Sequence, residues 1–127
     1  MSTHYPSVLV VDDEEELAEL YSKFLEVSGF NCMYFTDPHA AIDDFAKNFN
    51  SYSLVITDLR MPGLDGLELT RRLRIYNKTV KILLITGFLV EENLDQDLVK
   101  EVGVSAVLEK PIHFKDLKPM IKQILTS

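Results

Sequence analysis

Five polar side chains in this 127-residue chain stand at the ends of short apolar runs. Asp12 and Asp13 follow the run Ser7 to Val11. Asp58 follows Leu54 to Thr57, Thr86 closes the run from Lys81, and Lys110 with Pro111 comes just after Ala106 to Leu108. Three carboxylates packed together repel, and their ionised form is strongly disfavoured without a cation. A hard divalent metal resolves this: magnesium takes near-octahedral oxygen ligands and keeps several waters, so two carboxylates and a backbone carbonyl suffice. Nothing in the set is a good nucleophile toward carbon, but an aspartate can accept a phosphoryl group as an acyl phosphate. Phosphoryl transfer needs mainly positioning and charge neutralisation, which a metal, the Lys110 ammonium and the Thr86 hydroxyl would supply. Taken singly, each residue also has an ordinary use. Asp12 to Glu14 could cap a helix, Asp58 could serve a turn, Thr86 could be a plain strand residue, and Lys110 could be a solvated charge.

What must position these groups is an alternation of five strands and five helices. Apolar runs predict strands at Ser7–Val11, Asn31–Phe35, Leu54–Thr57, Lys81–Thr86 and Ala106–Leu108. Helical spacing of Leu17, Leu20, Tyr21, Phe24 and Leu25 predicts a first helix over Glu14–Ser28, stopped by Gly29. Thr36 or Asp37 is set to cap a second helix with Pro38 in its first turn. A third helix is predicted over Leu67–Tyr76 and a fourth over roughly Glu91–Val102. The last, Phe114–Leu125, contains Pro119, so a late start or a kink is expected. Apolar strands between amphipathic helices predict one parallel sheet covered on both faces, an open doubly wound α/β sheet. Ligands of such sheets bind beyond the carboxyl ends of the strands, which is where the five polar residues fall.

Length and composition agree with one domain over residues 1–127, with a core of about 6–126 and no output domain. The formal charge of −7 argues against direct nucleic-acid binding. No run has the length of a membrane span and no secretory signal is evident, so a cytoplasmic protein without membrane contact is expected. The single Cys32 excludes an internal disulfide and is read as a buried, inert thiol. His4, His39 and His113 have no spacing that suggests a metal site. Phe88-Leu89-Val90 is read as core filling or partner surface.

Several stretches together resemble the receiver domains of two-component response regulators: Val8 to Glu14, Asp58 to Gly66, Thr86-Gly87 and Lys110-Pro111. The resemblance covers essentially the whole chain. It implies a flavodoxin-like sheet of order 2-1-3-4-5, with Asp58 as phosphoacceptor. Asp13, Asp58 and the backbone carbonyl of Arg60 would bind magnesium (or manganese) directly, and Asp12 largely through water. Lys110 would be the phosphoryl counter-ion, Thr86 the switch hydroxyl, and the bond before Pro111 cis. The phosphoryl donor would be a sensor histidine kinase or a histidine phosphotransfer protein. The domain would be a signalling module that catalyses only its own phosphorylation and dephosphorylation. Its output face would be helix four, strand five and helix five, a surface that can also form a homodimer.

The chain departs from the family pattern at three positions. Val107 stands where receivers usually carry an aromatic residue, and a valine cannot bury a ring in space vacated by Thr86. Arg60 and Phe88 occupy positions near the path of the attacking water, and are expected to alter the lifetime of the acyl phosphate. Three rival classes can be weighed. A flavodoxin-like electron carrier is disfavoured because Asp12 to Glu16 would repel a bound phosphate. A haloacid-dehalogenase-like phosphatase is disfavoured because Arg60 stands where a second aspartate is typical. A binding module that signals without phosphorylation stays open through Val107.

Overall fold

The computed structural model describes residues 7–87 and 95–127. Strand and helix alternate through β1 (Ser7–Val11), α1 (Glu15–Val27), β2 (Asn31–Phe35), α2 (Pro38–Asn48) and β3 (Tyr52–Asp58). They continue through α3 (Gly66–Leu73), β4 (Lys81–Thr86), α4 (Gln96–Val102), β5 (Ala106–Glu109) and α5 (Phe114–Leu125). All strand pairs are parallel and the order is β2-β1-β3-β4-β5, the doubly wound arrangement expected from the sequence.

The pleat sends alternate side chains to opposite faces. Val8, Val10, Leu54, Ile56, Leu83 and Ile85 pack with Tyr21 and Leu25 of α1 and with Leu117, Ile121 and Ile124 of α5. Leu9, Val11, Val55 and Ile82 face Ala41 and Phe45 of α2 and Leu69 and Leu73 of α3. A smaller cluster joins Leu59, Leu67, Leu84 and Val102, with Leu98, Val99, Val104 and Val107 packed against it. Because β1, β3 and β4 are covered on both sides, they are apolar almost throughout, and period-two alternation is absent from their sequences.

Helix boundaries follow local chemistry. Asp37, Asp65 and Asp95 cap α2, α3 and α4, accepting hydrogen bonds from the amides of His39, Glu68 and Leu98. The helix expected from Glu14 begins at Glu15, with Glu14 extended in the capping position. The third helix runs from Gly66 to Leu73 rather than to Tyr76, and the amides of Ile75 and Tyr76 close it in tighter turns on Arg72 O and Leu73 O. The part of the expected fourth helix over 91–94 lies outside the described residues, and the helix seen starts behind the Asp95 cap. The expected late start of the last helix is not found: α5 begins at Phe114 and contains Pro119. Proline there forfeits one amide donor, while Leu117, Ile121 and Ile124, buried along one side, carry the helix through. Cys32 is half-buried rather than buried, and burial pushes its thiol up to about 11, so it is protonated at neutral pH.

Among the residues of α4 only Val102 is buried, so this helix needs another tether. Arg74, half-buried at the end of α3, supplies one. Its Nε donates to Val102 O at 2.7 Å, Nη2 to Gly103 O at 3.1 Å and Nη1 to Asn77 O at 3.3 Å. One guanidinium thus satisfies the terminal carbonyls of α4, where Gly103 takes the left-handed conformation at φ 75°. Arg74→Ala is expected to lower stability by about 1–3 kcal/mol, the range for hydrogen bonds from a charged donor. By hydrogen exchange, the α4 amides should lose protection before those of β1 and β3.

Candidate functional site

The parallel register brings five strand ends to one edge: Val11 pairs with Phe35 and Thr57, Asp58 with Ile85, and Thr86 with Glu109. Asp12 extends β1 by one residue, its amide donating to Phe35 O at 3.1 Å. Its carboxylate then accepts the amide of Glu14 at 2.9 Å and is only 2% exposed. The helix-cap reading of this acidic stretch is not realised, since no side chain caps α1. Asp13 is exposed at the same edge. Asp58, the last residue of β3, is 7% exposed, and Lys110 Nζ lies 3.1 Å from its Oδ2. Lys110 is aimed from the far side of the sheet: its amide donates to Thr86 O at 2.7 Å, and the Lys110–Pro111 peptide is cis.

The loop between β3 and α3 is held close to Asp58. Leu59, Met61 and Leu64 are buried, the Leu59 amide donates to Ile85 O at 2.8 Å, and the Gly66 amide returns to Leu59 O at 2.7 Å. A Cβ on Gly66 would collide with the backbone oxygen of Asp58 and meet Leu84 Cδ1 at 2.8 Å. Only glycine permits this approach, which brings the first turn of α3 against the end of β3.

Carboxylate oxygens of Asp12, Asp13 and Asp58 lie within 4.8 Å of one another. Burial, reinforced by Asp58 and Asp13, pushes the Asp12 carboxyl up to about 6 against the opposing Glu14 amide and Lys110. Burial also raises Asp58, although the hydrogen bond and charge of Lys110 pull the other way. For Lys110, burial acts downward, but Asp58, backed by Asp12 and Glu14, wins and holds the ammonium above its ordinary value. An all-oxygen, mutually repelling set with one half-exposed side fits a hard divalent cation, magnesium in particular.

The structure therefore brings together Asp12, Asp13, Asp58 and Lys110 as side chains, with Thr86 at the same edge and fully buried. Arg60 is exposed two residues beyond Asp58. Val107 is half-buried opposite Leu84, inside the small cluster beneath α4. Phe88 lies outside the described residues. Two residues at the site were not singled out from the sequence. Gly66 enters the sequence reading only as the end of the stretch Asp58 to Gly66, and its close approach depends on a tertiary contact. Tyr21 was read as an inward helical position. Its hydroxyl is pushed up to about 12 by burial and by the charges of Asp12, Asp58 and Glu14, which places it in the field of the acidic cluster.

Fold and site together define a doubly wound α/β domain with a lysine-paired acidic cluster at the carboxyl edge of its sheet. The family model of the response regulator receiver domain matches residues 8–122, and the chain belongs to that family, the receivers of two-component systems. The response regulator receiver protein CpdR of Brucella abortus is 33% identical, with 94% of this chain and 97% of that protein aligned. The transcriptional regulatory protein CpxR homolog of Haemophilus influenzae is 35% identical over 93% of this chain but only 49% of its own length. The chain thus spans about half of the longer regulators it matches. Among solved structures, a response regulator receiver domain protein from Clostridium thermocellum superposes with TM-score 0.85 at 27% identity, covering 95% of this chain and 94% of that one. Among the described residues, no helix is long and apolar enough to cross a membrane.

Two outcomes follow from this geometry. The folded state holds the Asp12 proton to about pH 6, whereas the unfolded chain releases it near 3.8. Without divalent metal, the contribution of Asp12 to stability is therefore fully present below about 3.8 and is lost as pH rises through about 6. Asp12→Asn, which keeps an acceptor for Glu14, should stabilise the metal-free protein by on the order of 2 kcal/mol near neutrality and by little near pH 4 in urea titrations. Gly66→Ala should cost about 1–3 kcal/mol by overpacking, measured the same way.

Proposed function

We propose that this receiver takes a phosphoryl group on Asp58 and thereby controls a partner or an attached output domain. One observation carries the reading: a nearly buried carboxylate at the end of the central strand, 3.1 Å from an ammonium and beside two further acids. An oxygen of Asp58 attacks phosphorus, the bond from phosphorus to the donor imidazole nitrogen breaks, and the imidazole leaves with the bonding pair. Asp58 becomes an acyl phosphate. Magnesium bound by Asp13, Asp58 and the carbonyl of Arg60, with Asp12 acting through water, would neutralise charge on the transferring group. Lys110 then exchanges its Asp58 partner for a phosphoryl oxygen, and the Thr86 hydroxyl serves as a further donor. Arg60, on the exposed side of Asp58, and Phe88 modulate attack by water.

The donor is a sensor histidine kinase or a histidine phosphotransfer protein, and the setting is the cytoplasm. An open groove of about 640 Å³ beside Lys110 supports docking of an amphipathic helix from that donor. Leu17, Leu20, Tyr21, Pro111, Ile112 and Phe114 give it an apolar lining. The added charge biases a two-state equilibrium of α4, β5 and α5, the face through which a homodimer or an output partner would bind. Residues 1–127 act as one receiver unit without direct nucleic-acid contact. Val107, with no ring to bury, favours a second reading, a module that binds partners without phosphorylation.

Intact mass after incubation with acetyl phosphate and magnesium separates the two. One added phosphoryl group is expected, absent from Asp58→Ala and absent without magnesium. No adduct from acetyl phosphate or a phosphohistidine donor would establish the second reading. On the phosphorylated protein, a dephosphorylation rate unchanged in Arg60→Asn would remove Arg60 from the scheme.

A further inference from the structure

Lys110 and α5 are separated by three residues, so the first turn of α5 sets where the lysine backbone can lie. That turn has no side-chain cap. His113, in its capping position, makes no side-chain cap bond. Only its carbonyl engages the turn, accepting from the amides of Asp116 at 2.9 Å and Leu117 at 3.2 Å. Leu117 sinks the end of the turn into the main core, and the start of the turn is held on α1 by rings. The ring of Phe114, the first residue of α5, stacks on Phe24 with centroids 4.5 Å apart and planes at 12°. It meets Tyr21 edge-to-face at 5.9 Å and 80°. Both partner rings belong to α1, the helix that begins just beyond Asp12 and Asp13. One side chain therefore ties the segment that ends in the ammonium to the segment that presents the acids.

We infer that Phe114 is a positioning residue for phosphoryl transfer, acting through Lys110 by clamping the turn after it onto α1. The inference rests on the phosphoacceptor reading of Asp58. It is distinct from a general stabilising role, because the Lys110 backbone, held on one side by its amide on Thr86 O, is held on the other by the turn into α5, and its ammonium lies 3.1 Å from Asp58. Displacing a group by about 1 Å can cost as much as about a hundredfold in rate.

The test is a double-mutant cycle on the rate of phosphorylation by acetyl phosphate at saturating magnesium. Phe114→Ala should slow the protein by about tenfold, and Phe114→Tyr, which keeps the ring, should stay within about twofold. In a Lys110→Ala background, Phe114→Ala should change the rate by less than about twofold, because the group it positions is gone. Equal losses in both backgrounds, or no loss in the parent, would overturn the inference. If Phe114→Ala is unfolded by circular dichroism, Phe114→Leu replaces it in the same cycle.

A second readout does not depend on phosphorylation. Labelling of Lys110 by an amine-reactive ester, quantified by peptide mass, should rise by about threefold or more in the folded ring-deleted variant as the ammonium leaves Asp58. Unchanged labelling overturns the inference even where phosphorylation proceeds. Failure of the parent protein to be phosphorylated overturns the assignment of Asp58 and leaves the labelling result to judge Phe114.

Discussion

The ion pair between Lys110 and Asp58 is the constraint around which the carboxyl edge of this molecule is organised. It joins β5 to β3 across a sequence separation of 52 residues, unlike the pairs of Glu19 with Lys23 and Glu68 with Arg71, which lie within single helical turns. Exposed helical pairs contribute little to stability. A nearly buried carboxylate held among two more acids is a net electrostatic cost, and apolar residues of similar volume at such a place are often as stable or more so. The surrounding sheet, apolar on both faces, absorbs that cost. The site is thus a place where local stability rules are broken for chemistry, with the deficit covered elsewhere in the fold.

Everything near Asp58 can be read as holding that unfavourable cluster in register. The Asp12 carboxylate is turned inward by the Glu14 amide. The loop after Asp58 is anchored through Leu59, Met61 and Leu64 rather than by its exposed Pro62 and Gly63. Gly66 lets α3 press against the end of β3 without a side chain between them. The lysine arrives from the opposite direction, through the amide of Lys110 on Thr86 O and through the turn into α5. Preorganisation of this kind matters for phosphoryl transfer because the protein contributes position and charge rather than covalent chemistry of its own.

How much of this was legible in the sequence depends on the range of the forces involved. The central strands β1, β3 and β4 were legible because burial on both faces writes an unbroken apolar run, and the strand ends because Asp12, Asp58, Thr86 and Lys110 interrupt or follow those runs. Asp37 as a cap was legible for the same local reason. Boundaries decided by distant partners were not. Nothing near Arg74 announces that its guanidinium will leave α3 to close the end of α4. The ease with which α5 accommodates Pro119 depends on three side chains buried against the sheet. Gly66 carries no local mark of the close packing it permits against the end of β3. The stack of Phe114 on Phe24 joins positions 90 residues apart, so no local pattern could reveal it.

The same distinction governs how the site is connected to α4. Leu59 directly follows Asp58, and its side chain shares a cluster with Leu67, Leu84 and Val102, against which Val107 packs. The backbone carrying Asp58 is therefore in apolar contact with α4. A receiver with an aromatic ring at the Val107 position has a large rotor to move between buried and exposed states; here the side chain is small, branched and stiff at its first torsion. Among the described residues, α4 is attached by the buried Val102, by the half-buried Leu98 and Val99, and by the Arg74 guanidinium. A helix held by so few contacts shifts at smaller free-energy cost than one sunk in the main core. In this receiver, then, the Val107 position offers no ring to swing, and Asp58 connects to α4 through the packed side chains of Leu59, Leu67, Leu84 and Val102, with Arg74 holding the far end of that helix.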